Sequence, residues 1–194
     1  MSYYVLDTHT SPFSEARLEG AWSNWFCFSH GSRRIQRELA PAGPCQFVLH
    51  QPCGPVEQIA AGYVATECLF SDEMIDVLMR AGVDNLDILS ATLRKRVATE
   101  PIPNTSYKAV EIMGAIACLD KKRSGKVDLG DGSGLLEGGV DKMYIDERKT
   151  DGLLMFRPRP GMGAVLVHER VKRAIEAAKL PGLRFYDPAE WGGF

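Results

Sequence analysis

The chain has 194 residues, 45% of them hydrophobic and 25% charged, with a net charge of −2. At roughly 100–200 residues per domain, that gives room for one well-buried core or at most two small ones. The near-neutral balance excludes the strongly basic footprint of a sequence-independent nucleic-acid binder, and no apolar run approaches the roughly 18–20 residues of a membrane helix.

The opening MSYYVLDTHTSPFSEARLEG has no basic start, no apolar stretch and no small-residue cleavage site. It argues against a secretory leader and for a cytoplasmic location. Five cysteines (Cys27, Cys45, Cys53, Cys68 and Cys118) are odd in number and irregularly spaced, with no C-x-x-C pair. They read as reduced, buried thiols rather than a disulfide framework or a zinc site.

YYVLD, residues 3–7, reads as an opening strand. The next forty residues are poorly periodic. They hold Trp22, Trp25, Phe26 and Phe28, then SRRIQREL and the breaker-rich APAGP, and are expected to form a surface loop and one short helix. CQFVLH and GYVATECLF are strand candidates.

Residues 71–82 form the first clear helix. Ser71 can cap it, Asp72 and Glu73 suit its positive end, Met74, Ile75, Leu78 and Met79 share a face, and Gly82 can end it. VDNLDILSATL alternates enough for a strand. Residues 106–120, SYKAVEIMGAIACLD, keep Val110, Ile112, Ile116 and Cys118 in step with period two, a strand in which Gly114 marks a bulge or close approach. VDKMYIDERK, LLMFR and AVLVH follow as strands, the last two flanking the turn PRPGMG. Residues 169–180 are the second clear helix, with Val171, Ala174, Ile175 and Ala178 inward; Pro181 and Gly182 stop it before the strand LRFYD.

This pattern predicts an α+β fold: a mostly antiparallel sheet with two helices, 71–82 and 169–180, packed on it. It reads as a single domain over 1–194, in which 1–100 is a variable subdomain. A shift of ninety-seven residues lays Leu78 on Ile175, Ala81 on Ala178, Leu86 on Leu183 and Ile88 on Phe185. Each half can hold a helix–turn–strand unit of similar build, although two copies fall short of a repeat architecture.

Chemistry-bearing constellations are sparse. Of His9, His30, His50 and His168, His30 sits in the most enzyme-like context, FSHGSRR, but no G-x-S-x-G elbow surrounds it. PGMGAV lacks the third glycine of a dinucleotide fingerprint. DLGDGSG offers Asp128, Asp131 and Ser133 as oxygen ligands without the spacing of a calcium loop. The expectation is no catalytic residue, no metal and no cofactor.

Charge is segregated. Between 128 and 147 stand Asp128, Asp131, Glu137, Asp141, Asp146 and Glu147 against a single Lys142. DKKRSGK upstream is basic, as are Arg33, Arg34 and Arg37. Such a patch can steer a partner of opposite sign, or it can be a solvated face around a loop. The acidic residues with Tyr144, together with the exposed share of the 22–28 aromatics, are the candidate partner-binding surface.

From residue 106 to 191 the chain resembles the immunity-protein-eleven family of bacterial polymorphic-toxin systems, first catalogued as a domain of unknown function. The likeness runs through YKAVEIMGAIACLDKKRS, LMFRPRP and VLVHERVKRAIEAAKLPGLRF, with a weaker echo in YYVL and LFSDEMIDVLMRAGVDNLDIL. Phe156, Arg157, the last helix and the 182–185 finish are its marks, and His168 stands where many relatives would carry a capping Ser. The resemblance implies a stoichiometric inhibitor of a cognate protein toxin, with no chemistry of its own, no membrane and no direct nucleic-acid partner. Two rivals follow from the residues alone: a small hydrolase or transferase using His30 with a nearby Ser or Cys, and a nucleic-acid-associated adaptor using Arg33, Arg34, Arg37 and KKRSGK.

Overall fold

The computed structural model describes residues 2–9, 13, 15–19, 43–50, 59–65, 68–95, 106–120, 122–125, 142–159 and 163–192. In chain order these form β1 (Tyr3–Thr8), β2 (Glu15–Glu19), β3 (Cys45–His50), β4 (Gly62–Tyr63), β5 (Cys68–Ser71), α1 (Asp72–Arg80), β6 (Leu86–Lys95), β7 (Tyr107–Ile112), β8 (Ala115–Ile116), a 3-10 turn (Glu147–Lys149), β9 (Met155–Pro158), β10 (Val165–His168), α2 (Glu169–Ala178) and β11 (Leu183–Tyr186).

The fold is α+β, built on two sheets rather than one. Their orders are β11-β1-β10-β9-β8 and β2-β3-β6-β7-β5-β4. Both are mixed: β3 with β6 and β8 with β9 run parallel, and the remaining pairs are antiparallel.

The two sheets contain the same supersecondary unit. In one, β4 and β5 form an antiparallel pair, α1 crosses over, and β7 lies between β5 and β6. In the other, β9 and β10 pair, α2 crosses over, and β1 lies between β10 and β11. The registers coincide without a gap. Ser71 faces Tyr107 as His168 faces Tyr3, and Leu86 faces Ile112 as Leu183 faces Thr8. The offset of ninety-seven residues therefore extends from helix and turn to a whole unit. Its central strand, however, comes last in the first copy and at the start of the chain for the second.

Hydrogen bonds outside the ladders repeat as well. Ser71 N–H donates to Ala61 O at 2.8 Å and His168 N–H to Leu154 O at 2.8 Å. Asp72 N–H reaches Ser106 O at 2.7 Å and Glu169 N–H reaches Ser2 O at 2.7 Å, while Met113 N–H reaches Asn85 O at 2.8 Å and His9 N–H reaches Gly182 O at 2.9 Å. The hydroxyl of Tyr107 donates to Ala60 O at 2.9 Å and that of Tyr3 to Leu153 O at 2.8 Å.

The central strands send side chains into cores on both faces of their sheets. Cys68, Phe70, Val110, Ile112, Leu6, Val165 and Val167 enter the core shared with both helices. Leu69 and Ala109 point the other way into a cluster with Phe47 and Leu93, and Val5, Phe156 and Leu166 into one with Met143 and Leu119. The helices lie against each other inside the shared core. α1 buries Met74, Ile75, Val77 and Leu78. At about 1.5–3 kcal/mol per buried side chain, tertiary packing and not intrinsic preference holds so short a helix.

Local signals behave as their chemistry requires. Ser71 Oγ accepts from Met74 N–H at 3.1 Å, and Gly82 ends α1 with φ +97°. His168 serves as a cap too, its Nδ1 accepting from Arg170 N–H at 3.1 Å. α2 ends at Ala178, two residues short of the expected Leu180, because Lys179 takes the left-handed conformation at φ 54°.

Several expectations are corrected. The expected strand 62–70 is a hairpin of β4 and β5. The strand expected over 106–120 breaks at Gly114, φ +130°, where the chain leaves one sheet and joins the other. Residues 142–149 form a single bridge, Leu119 to Ile145, followed by the 3-10 turn; Asp146 caps that turn and ends any strand. β2 lies within the stretch read as unperiodic; its one buried residue, Leu18, is too little apolar signal for a strand. The aromatics Trp22, Trp25, Phe26 and Phe28 lie outside the described residues.

Burial pushes the phenols of Tyr63 and Tyr107 and the thiol of Cys45 each up to about 12, from ordinary values of 10.0, 10.0 and 9.0. A raised folded-state value favours the native state below the unfolded value and loses that contribution as pH climbs toward the folded one. Stability should therefore fall between about pH 9 and 12. In Tyr107→Phe, which retains only Tyr63 and Cys45 of these groups, the alkaline decline should be shallower; denaturant midpoints against pH measure both.

Candidate functional site

The acidic segment singled out from sequence is described only in part. Asp128, Asp131, Glu137 and Asp141 lie outside the described residues. Tyr144, Asp146 and Glu147 lie within them, and the chain itself engages all three. Tyr144 carries the Arg123 guanidinium 4.1 Å above its ring, and its N–H donates to Ser124 Oγ at 3.1 Å. Asp146 accepts from Arg148 Nε at 2.9 Å and pairs with Lys149 Nζ at 3.4 Å. The Arg148 hydrogen bond leads in drawing its carboxyl down to about 2. Glu147 accepts from the Ser2 N–H and hydroxyl at 3.0 and 2.8 Å, and those bonds lower its carboxyl too. The Tyr3 hydroxyl, donating to Leu153 O, also stands 2.9 Å from Thr150 Oγ1 beside it. Glu147 and Thr150 thus hold the start of β1, while Arg148 and Lys149 compensate the charge of Asp146.

A second feature lies on the opposite end of the same sheet. Between α2 and β11 runs a groove of about 580 Å³, lined by Lys172, Glu176, Lys179, Arg184, Phe185 and Tyr186 above a floor of Ile175, Leu180 and Leu183. Lys172 Nζ pairs with Glu176 Oε1 at 2.6 Å and stands over the rings of Tyr4 and Phe185, 5.2 and 5.4 Å from their centroids. Arg184 and Lys179 are exposed, and Arg184 touches His9. Among the described residues lining the groove there is one carboxylate, and Lys172 already holds it.

The equivalent face of the first unit has the same backbone and different chemistry. Where the groove has Lys172, Glu176, Lys179, Arg184 and Phe185, α1 and β6 place Ile75, Met79, Gly82, Asp87 and Ile88. Met79 and Ile88 are exposed, at 57% and 41%. The two faces thus differ: one holds a groove with three cations, the other two exposed apolar side chains. The sequence pointed instead to the acidic run, because the groove cations are scattered between 172 and 184 and never form a run. Reading the ninety-seven-residue offset for charge, Arg184 over Asp87 and Glu176 over Met79, is the signal that would have found them.

Other chemistry-bearing groups are accounted for structurally. His168 caps α2 and meets Tyr3 edge-on at 5.2 Å. Buried Arg157 donates to Ala65 O at 2.6 Å and contacts Cys68 Sγ at 3.5 Å, joining the two units. Cys45, Cys68 and Cys118 are buried. No group of three or more His, Cys, Asp or Glu able to hold a metal occurs among the described residues, and no helix there is long and apolar enough to cross a membrane. His30, Arg33, Arg34 and Arg37 lie outside the described residues; Lys122 and Arg123 are exposed, and Arg123 stands over Tyr144.

No family model matches the chain, and no curated protein matches it.

Asp146 allows a directional test. Its lowered carboxyl contributes stability above its ordinary value of 3.8, and that contribution is lost as pH falls through about 2. Asp146→Asn should be less stable than the native chain at neutral pH. The gap between their urea midpoints should close across that acid window.

Proposed function

We propose that this protein is an immunity-type inhibitor that binds a cognate bacterial toxin stoichiometrically in the cytoplasm and makes or breaks no bond itself. The observation that carries this reading is the divergence of two equivalent faces on one duplicated scaffold. A fold that only had to be stable would gain nothing from a basic-rimmed groove on one face and exposed Met79 and Ile88 on the other. Recognition surfaces need both a rigid frame and chemistry specific to the partner.

The residues of the family resemblance support the reading from another side. Phe156 and Arg157 fall on β9, the VLVHERVKRAIEAAKL stretch on β10 and α2, and 182–185 on the turn into β11. They form one unit, the one that carries the groove. Tight complexes of this class bury about 1,600 Å² in total, with a few anchors supplying most of the affinity.

The test is a binding measurement with the toxin encoded beside the chain's gene. The pure proteins should form a one-to-one complex with a dissociation constant of about nanomolar or below, and co-expression should restore growth to cells making the toxin. A toxin that neither binds nor is neutralised would contradict the reading. So would turnover of a small substrate abolished by a single polar substitution.

A further inference from the structure

We propose that the open edge of β11 is the docking line for an extended, acidic segment of a protein partner, which adds to the sheet as a further strand and lies along the α2–β11 groove. The proposal rests on the inhibitor reading for the partner's identity, and on the structure for the place.

The backbone argument comes first. β11 ends its sheet. His9 N–H donates to Gly182 O, and from that pair the antiparallel alternation makes Arg184 and Tyr186 the residues hydrogen-bonded to Asp7 and Val5. Leu183 and Phe185 therefore aim their N–H and C=O groups outward. Among the described residues nothing pairs with them. Such an edge is a template for another chain, and strand addition is a standard mode of peptide recognition.

The side chains then choose the partner. Lys172, Lys179 and Arg184 flank the edge, and Glu176 is held by Lys172. Asp187, just past the strand, turns back to accept from Ala189 N–H at 2.9 Å. An incoming strand would present alternate side chains to two chemistries. On the helix side they meet the apolar floor of Ile175, Leu180 and Leu183 beneath Lys172 and Lys179; on the other side they meet Arg184 and Tyr186. A segment mixing acidic with apolar side chains satisfies both. Edge cations alone can serve to repel other strands. Here, though, Lys172 and Lys179 stand over an apolar floor, and the equivalent strand of the first unit, β6, which is no edge because it runs on into a pair with β3, carries Asp87 where β11 carries Arg184.

The experiment uses the isotopically labelled full chain at low ionic strength. The probe is a strand-length peptide of alternating Glu and Val, followed by amide shifts and hydrogen exchange. Controls are a Lys-Val peptide, the Glu-Val peptide with a central proline, and a single-stranded oligonucleotide. The Glu-Val peptide should shift and protect the Leu183 and Phe185 amides, and the controls should not. Lys179→Glu combined with Arg184→Glu should weaken it by about tenfold at an unchanged unfolding midpoint, since both side chains are exposed. Absent binding, binding elsewhere, or equal binding of the oligonucleotide or Lys-Val peptide would overturn the assignment. A toxin that binds while leaving the β11 amides unprotected also overturns it, yet leaves the inhibitor reading intact. A docking peptide with a non-binding toxin does the reverse.

Discussion

Burial of β1 and β7 on both faces is the constraint on which the rest of the structure depends. Each strand lies between the two parallel members of a β–α–β crossover. Each also sends side chains alternately into the shared helical core and into a second cluster behind its sheet. Without the central strand, β10 and β11, or β5 and β6, have no ladder between them and the helix above them no sheet to cover. The leading tyrosines, Tyr3 and Tyr107, tie these strands across the neighbouring strand to Leu153 O and Ala60 O. In each unit, one hydroxyl thus ties the central strand to the backbone two residues ahead of the neighbouring hairpin.

The duplicated unit explains features that otherwise look unrelated. The N-terminal strand finds its place among the last strands of the chain because it fills the position that β7 fills in the first unit. The two copies are joined by Asn85, which donates to Met155 O at 2.8 Å, and by Thr8, which donates to Gly62 O at 3.2 Å and accepts from Val64 N–H at 2.7 Å. What differs is largely peripheral. Core positions stay apolar, Cys68 and Phe70 against Val165 and Val167, Leu78 against Ile175, while the outer faces of α1–β6 and α2–β11 take opposite characters. Divergence confined to outer faces, on a frame held by burial, is how a scaffold acquires a specific partner without losing its fold.

Much of the fold was legible in the sequence wherever local chemistry and tertiary packing agree. The Ser71 cap, the Gly82 stop, the helical stripe of Val171 and Ile175, the period-two run around Val110 and the short apolar run around Leu166 each point to the element that forms. Reading failed where the decision was not local. One sheet could not be told from two, because strand periodicity says nothing about which strands are neighbours; the change of sheet at Gly114 is a tertiary event. Residues 142–149 looked like a strand because Met143 and Ile145 alternate, but Asp146 prefers to cap a turn and hold Arg148. The site was the least legible part. A run of carboxylates is conspicuous in sequence even when Asp146 and Glu147 are spent on internal bonds, whereas Lys172, Lys179 and Arg184 meet only after α2 and β11 fold back on each other.

Native-state hydrogen exchange tests the central claim most directly, because a first strand ordinarily frays. If β1 is the counterpart of β7, amides of Tyr4 and Leu6 should exchange only through global unfolding, with the same free energy and denaturant dependence as those of Lys108 and Val110. Exchange of the β1 amides through a low-energy local opening, while β7 stays protected, would contradict the equivalence of the two units.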